Sequence, residues 1–414
     1  MNTTDTTILR DLARHYLDIC NKPVQLERRE LWRKKNSSVT ASDRRSDMKP
    51  VRPLIYVRAF AWHEIPQSRC VCEYPFFRGY ENYFRHTLFW DTFDDDSIFE
   101  PWVTVHARYK CSGWGLNGKR NFPAELRGAF KIDYPIKKLE DVDKLRPPHH
   151  EIDEERTAQD AMRLEEAIGD IITVNIDRAP AYRMWSADIS TDLGYLRGME
   201  HFMVDMIDHP EWLHQLMAFM RDGILRTHEQ AEAAGDWGLS AHQNQAMPYA
   251  EELQPPAPNV NGVKRKELWG FCAAQEWTAT SPQQHDEFLL QYQISIMKHF
   301  GLVAYGCCED LTQKIGILRQ IPNLRRIAVS PFADVAKCAE QIGTDYVISY
   351  RPSPADMVSY GFNPERIRNI LRRDFAALKG THFDVTLKDV ETVQGAPERV
   401  RKWVQIVREE IEAL

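Results

Sequence analysis

The chain has 414 residues, 43% hydrophobic and 27% charged, enough to bury a large core as one α/β domain or two. Its formal net charge of −7 argues against nucleic acid as a main partner, because neutralising phosphates requires a basic surface. No apolar run reaches the ~18–20 residues that span a bilayer, and Met1 to Asp5 lack a charged-then-apolar signal, so a cytoplasmic protein with no membrane association is expected.

Residues 1–100 read as a mostly helical extension with a polar loop and one strand at Pro53–Phe60, and residues 101–414 as the main unit on which it packs. The basic run Arg28, Arg29, Arg33, Lys34, Lys35, Arg44 and Arg45 reads as a solvated helix end and loop, with docking of an acidic partner as the second reading. From residue 101 onward β-rich runs alternate with amphipathic segments. The predicted strands are Trp102–Arg108, Ile171–Asp177, Trp237–Ala241, Leu268–Ala273, Leu302–Cys307, Arg326–Ser330, Tyr346–Tyr350 and His382–Leu387. Predicted helix starts lie at Asp208-His209-Pro210, Ser281-Pro282, Asn363-Pro364 and Ala396-Pro397, where proline suits the first turn and Ser281 and Asn363 can cap. The last helix carries one apolar stripe: Val400, Trp403, Val404, Val407, Ile411 and Leu414. Eight strands alternating with helices predict a parallel (β/α)8 TIM barrel.

In such a barrel the chemistry sits at the C-terminal strand ends. These ends present His106, Asp177 with Arg178, His242 with Gln243, Gln275 with Glu276, Cys307 to Glu309, Ser330, Tyr350 with Arg351, and Lys388 with Asp389. Cys307-Cys308-Glu309-Asp310 is the densest group, and thiols beside carboxylates suit a zinc ion or an acid site. Cys307 and Glu309 would share one side of an extended backbone. The eight cysteines are too sparse for a disulfide scaffold, and Cys70-Val-Cys72 is too closely spaced for a zinc knuckle. Gly113-Trp-Gly115-Leu-Asn-Gly118 has dinucleotide-fingerprint spacing, but Lys119 to Pro123 follow where a helix should open.

Several segments carry a resemblance. Arg197-Gly-Met-Glu200 with the helix through Met220, Leu268–Pro282, the thiol-bearing strand end at 305–309, and Tyr346–Met357 with its Arg351-Pro-Ser-Pro-Ala355 turn resemble the uroporphyrinogen decarboxylase superfamily. Within it the chain is more similar to the corrinoid-dependent methyltransferases, which implies O-demethylation: a methyl group moves from a small donor such as a methoxylated aromatic to the corrinoid (cobalamin) of a separate corrinoid protein. The pattern departs from the zinc-thiolate members. Tyr305 stands where their histidine would be, the segment Thr386–Val390 has no cysteine, and no Asp-x-His-x-x-Gly corrinoid motif is present.

The resemblance implies a barrel and a homodimer. The expected site has Glu276, Glu309 and His242 as catalytic groups and Cys307, Glu309 and Glu276 as zinc ligands. Asp177, Arg178, Tyr182, Trp277, Tyr350 and Arg351 would bind substrate, with Trp185 and Phe332 as further aromatic candidates. A proton donor or Lewis acid at the ether oxygen would lower the barrier to its departure. The alternative expectation is a metal-free decarboxylase of a small or aromatic acid, with arginines converging on the pocket.

Overall fold

The structure is a computed structural model that describes residues 3–37, 51–111, 113–124 and 129–414. Arg44 and Arg45 of the basic run lie outside the described residues. In chain order the strands are β1 (Ile55–Val57), β2 (Trp102–His106), β3 (Lys119–Asn121), β4 (Lys131–Asp133), β5 (Thr173–Asp177), β6 (Trp269–Cys272), β7 (Leu302–Tyr305), β8 (Leu324–Val329), β9 (Val347–Tyr350) and β10 (His382–Leu387). Six of them form one parallel sheet in the order β1-β10-β9-β8-β7-β6, β2 pairs with β5 in a second parallel sheet, and β3 and β4 form an antiparallel hairpin. The register Ile55↔Val385 to Val57↔Leu387 makes the stretch before residue 100 part of the main sheet.

The expected closed eight-stranded barrel is therefore corrected to a curled six-stranded half-barrel with a separate two-stranded sheet. The predicted strand Trp237–Ala241 is not one. Its only ladder contact is a single antiparallel bridge, Gly238↔Asn261, and the Ala241 N–H turns back onto the Gly238 carbonyl at 3.0 Å. Polar groups occupy the open edges instead, which satisfies backbone donors that another strand would otherwise take. The Ile55 and Val57 N–H groups donate to the carboxylates of Asp96 and Asp95 at 2.8 and 2.7 Å. On β5 the Asn259 side chain accepts from the Ile176 N–H and donates to the Val174 carbonyl, both at 2.9 Å. On β6 the Trp269 N–H donates to His242 Nδ1 at 3.3 Å.

Helices follow the parallel strands as the amphipathic pattern predicts. Ser281 and Asn363 accept from the N–H groups of Gln284 and Arg366, each at 3.1 Å, and so cap their helices. In the last helix, Glu398–Glu412, Val400, Trp403, Val404, Val407 and Ile411 are buried, while Leu414 lies beyond it and is exposed. The sheet's strands are buried on both faces, as a parallel sheet covered by helices requires. Among the described residues no helix is long and apolar enough to cross a membrane.

Candidate functional site

Residues following β1, β6, β7 and β10 meet the segment 185–195 around a cavity of about 560 Å³. Its lining includes Arg58, Gln275, Glu276, Cys307, Cys308, Lys388 and Asp389 from the strand ends, with Trp185, Ser186, Thr191, Asp192 and Tyr195 opposite. The turn after β7 depends on Gly306, whose φ is +93° and whose missing Cβ would meet Leu311 Cδ1 at 2.7 Å. That turn brings both thiols into the cavity wall.

The surroundings of Cys307 favour its thiolate form. Lys388 Nζ donates to its Sγ at 2.7 Å and to Cys308 Sγ at 3.1 Å, and the two sulfurs are 3.4 Å apart. Arg351 Nη1 donates to the Cys307 carbonyl at 2.7 Å. The hydrogen bond from Cys308, with the charges of Arg351 and Lys388, outweighs burial and lowers the Cys307 pKa to about 5. Cys308 is pushed up, first by its bond to Cys307 and then by burial. Cys308 also meets Asp389 Oδ2 at 3.4 Å.

The opposite wall is acidic. Asp192 is raised by burial to about 7, against the pull of Trp114 Nε1, which donates to its Oδ2 at 2.6 Å. Glu276 accepts a short hydrogen bond from Ser190 Oγ, and Gly194 leaves the room it needs: a Cβ there would meet Glu276 Cγ at 3.0 Å. Behind them Asp188 is buried and held well above the usual carboxylate range by desolvation. The Arg58 guanidinium has no hydrogen bond or ion pair among the described residues, whereas Lys388 is already countered by the thiols and by Asp389 at 3.1 Å. Arg58 is thus a cation of the cavity wall held in no ion pair among the described residues.

Of the expected site residues, Glu276, Cys307 and the aromatic candidate Trp185 line this cavity. Glu309 is buried and serves as a brace: Oε1 accepts from the Ala274 N–H at 2.7 Å and Oε2 from the Cys307 N–H at 2.8 Å, tying the loop after β6 to the loop after β7. Arg351 lies beneath Cys307 rather than facing a substrate. Asp177 is held by Arg183 and by His106 Nδ1 at 3.1 Å, and Arg178 by Glu154 and Asp236, so both form internal ion pairs. Trp277 is fully buried and stacks on Phe202 with centroids 4.7 Å apart. The Tyr350 hydroxyl donates to buried Asp374 on the following helix. Tyr182 lines an adjoining cleft that shares Ser186, Asp192 and Tyr195 with the cavity, and Phe332 is exposed to solvent. His242 is occupied at the β6 edge and lowered by burial to about 4.

This arrangement does not fit the expected zinc set. Both Glu309 oxygens are turned onto backbone N–H groups, and the Cys307 thiolate faces an ammonium. Among the described residues no three His, Cys, Asp or Glu side chains group as metal ligands. Arg58 and Asp192 are site residues that the strand-end pattern does not contain. Arg58 lies inside the predicted strand Pro53–Phe60, and only the shorter observed strand, Ile55–Val57, puts it just past a strand end. Asp192 lies in a short helix, Ser190–Leu196, outside the strand-end pattern.

No family model and no curated protein sequence matches this chain. Among solved structures it is similar to a methyltransferase from Methanosarcina mazei, at 13% identity over 74% of this chain and 80% of that chain, with a TM-score of 0.42.

Proposed function

We propose that the chain is a methyltransferase that takes the methyl group of a small, carboxylate-bearing O-methyl donor, a methoxylated aromatic acid, and passes it to the corrinoid of a separate corrinoid protein. The observation that carries this reading is the pairing, across one cavity, of an unpartnered cation at Arg58 with a carboxyl group at Asp192 that is half protonated near neutrality. The resemblance read from the sequence supplies the reaction class, and the cavity supplies residues suited to it.

The cavity volume lies within the range of small-molecule sites and accommodates a single-ring donor. Arg58 would hold the donor's carboxylate by charge-assisted hydrogen bonds. Trp185 and Tyr195 offer apolar faces for the ring. Asp192 would protonate the departing ether oxygen, so that a neutral phenol leaves in place of a phenolate. The bond from Ser190 holds Glu276 beside it. The corrinoid is the second substrate and would supply a nucleophilic cobalt for the methyl group. No step requires zinc.

Incubating the protein with free cob(I)alamin and either 3,4-dimethoxybenzoate or the uncharged 1,2-dimethoxybenzene tests this, with methylcobalamin followed by its absorbance. The benzoate is expected to react and the uncharged ether to react far more slowly. Absence of methyl transfer from any methoxybenzoate overturns the reading. The unpartnered Arg58 also favours a second one, a metal-free decarboxylase of an aromatic acid, in which Asp192 would protonate the carbanion. Release of carbon dioxide from hydroxybenzoates without cobalt would select it.

A further inference from the structure

Eight cysteines are distributed over the fold, and among the described residues one pair is in thiol contact, Cys307 Sγ and Cys308 Sγ at 3.4 Å. Both line the cavity, Cys308 partly exposed and Cys307 buried behind it, so a small solute in the cavity meets the pair. Lys388 Nζ sits within 2.7 and 3.1 Å of the two sulfurs. Cys20, Cys72, Cys272 and Cys338 are buried, and desolvation raises each of them. Nothing in the proposed transfer uses the dithiol.

We propose that Cys307 and Cys308 form an oxidisable dithiol, a modification site at which a hydroperoxide converts the Cys307 thiolate to a sulfenic acid and Cys308 then closes a disulfide with it. In the first step the sulfur lone pair attacks one peroxide oxygen. The O–O bond breaks, an S–O bond forms, sulfur is oxidised by two electrons and hydroxide leaves. In the second step Cys308 Sγ attacks the sulfenyl sulfur, an S–S bond forms, the S–O bond breaks, and the departing hydroxide takes the Cys308 proton as water. The sum is two thiols and one hydrogen peroxide giving one disulfide and two waters.

Three features support this chemistry. The thiolate is the reactive form, and Lys388 and Arg351 stabilise it. The resolving thiol is already in contact, so no distant segment has to move to deliver it. Adjacent Cα atoms lie ~3.8 Å apart, closer than the usual disulfide span of about 4.4–6.8 Å, which strains the ring and makes it easily reduced. The site is therefore reversible. In the oxidised form Lys388 loses its thiolate partner and keeps Asp389.

The test treats the full chain with stoichiometric hydrogen peroxide and follows the tryptic peptide His299–Lys314, which holds both cysteines. The peptide is expected to become lighter by two hydrogens and to return to its starting mass with dithiothreitol. In Cys308→Ser the sulfenic acid should persist and be trapped at Cys307 by dimedone. The groups facing Cys307 are Cys308, Glu309, Arg351 and Lys388, with Asp389 and Arg58 on the same cavity wall. With that surrounding charge the oxidation rate should change little from pH 6 to 8, where an ordinary thiol would accelerate by about two orders of magnitude. An unchanged peptide mass, oxidation first at another cysteine, or conversion straight to sulfinic acid without the disulfide overturns the proposal. The wild-type mass alone decides it if Cys308→Ser fails to fold.

Discussion

Replacing Lys388 by methionine keeps a stem of similar length and removes the ammonium 2.7 Å from Cys307 Sγ. At an effective dielectric of 20 that contact is worth at most about 6 kcal/mol. The hydrogen bond from Cys308 and the charge of Arg351 both remain, so the loss is partial. An opposite charge at this range typically moves a pKa by ~1–3 units, or about 1.4–4 kcal/mol. Cys307, held at about 5, should then ionise between roughly 6 and 8. The assay is the pH dependence of iodoacetamide alkylation at Cys307, read by peptide mass, with its midpoint near 5 in the wild type. At pH 6 the variant should react about tenfold more slowly. A folded state that holds this thiol below its ordinary value of 9 binds fewer protons than the unfolded chain across that window, so stability rises with pH there and is lost as pH falls through about 5. Lys388→Met should flatten this rise in urea titrations. Superimposable alkylation profiles for the two proteins would refute the assignment of Lys388 as the thiolate's counter-ion.

Other substitutions address different parts of the structure. Asp192→Asn should lower methyl transfer by about 10²–10⁴-fold, and the wild-type rate should decline above pH 7 as the acid form is lost, a limb absent from the variant's pH profile. Arg58→Gln should weaken binding of 3,4-dimethoxybenzoate by roughly 10–100-fold and leave 1,2-dimethoxybenzene unaffected, as measured by calorimetric titration. Arg326→Ala leaves Asp384, with which it forms a fully buried ion pair inside the sheet, without its counter-charge. A loss of about 3–5 kcal/mol in urea denaturation is expected, and an unchanged midpoint would show that the pair contributes little.

Much of the framework was legible because burial periodicity is a local property. Eight of the nine predicted strands appear within a few residues of their expected bounds, and the caps at Ser281 and Asn363 act as their side-chain chemistry requires. Trp237–Ala241 failed because its apolar residues are compatible with a strand, while the turn at Gly238 and the Asn261 side chain against it are not visible in that pattern. Glu309 departs from its expected role for a related reason. Alternation along an extended chain places it beside Cys307, but Gly306 turns the backbone and the carboxylate closes onto two N–H groups.

By itself the sequence determined which residues stand at strand ends, and it marked Cys307, Glu276 and Lys388 among them. Only the tertiary structure decided which of these meet. Lys388 reaches Cys307 across 81 positions of sequence, a contact set by the register of parallel strands and the curl of the sheet. The curl of the sheet, the absence of an ion pair at Arg58 and the raised pKa of Asp192 are likewise collective. Each depends on what surrounds a side chain in space, and the spacing of residues along a chain encodes that only where neighbours in sequence are also neighbours in the fold.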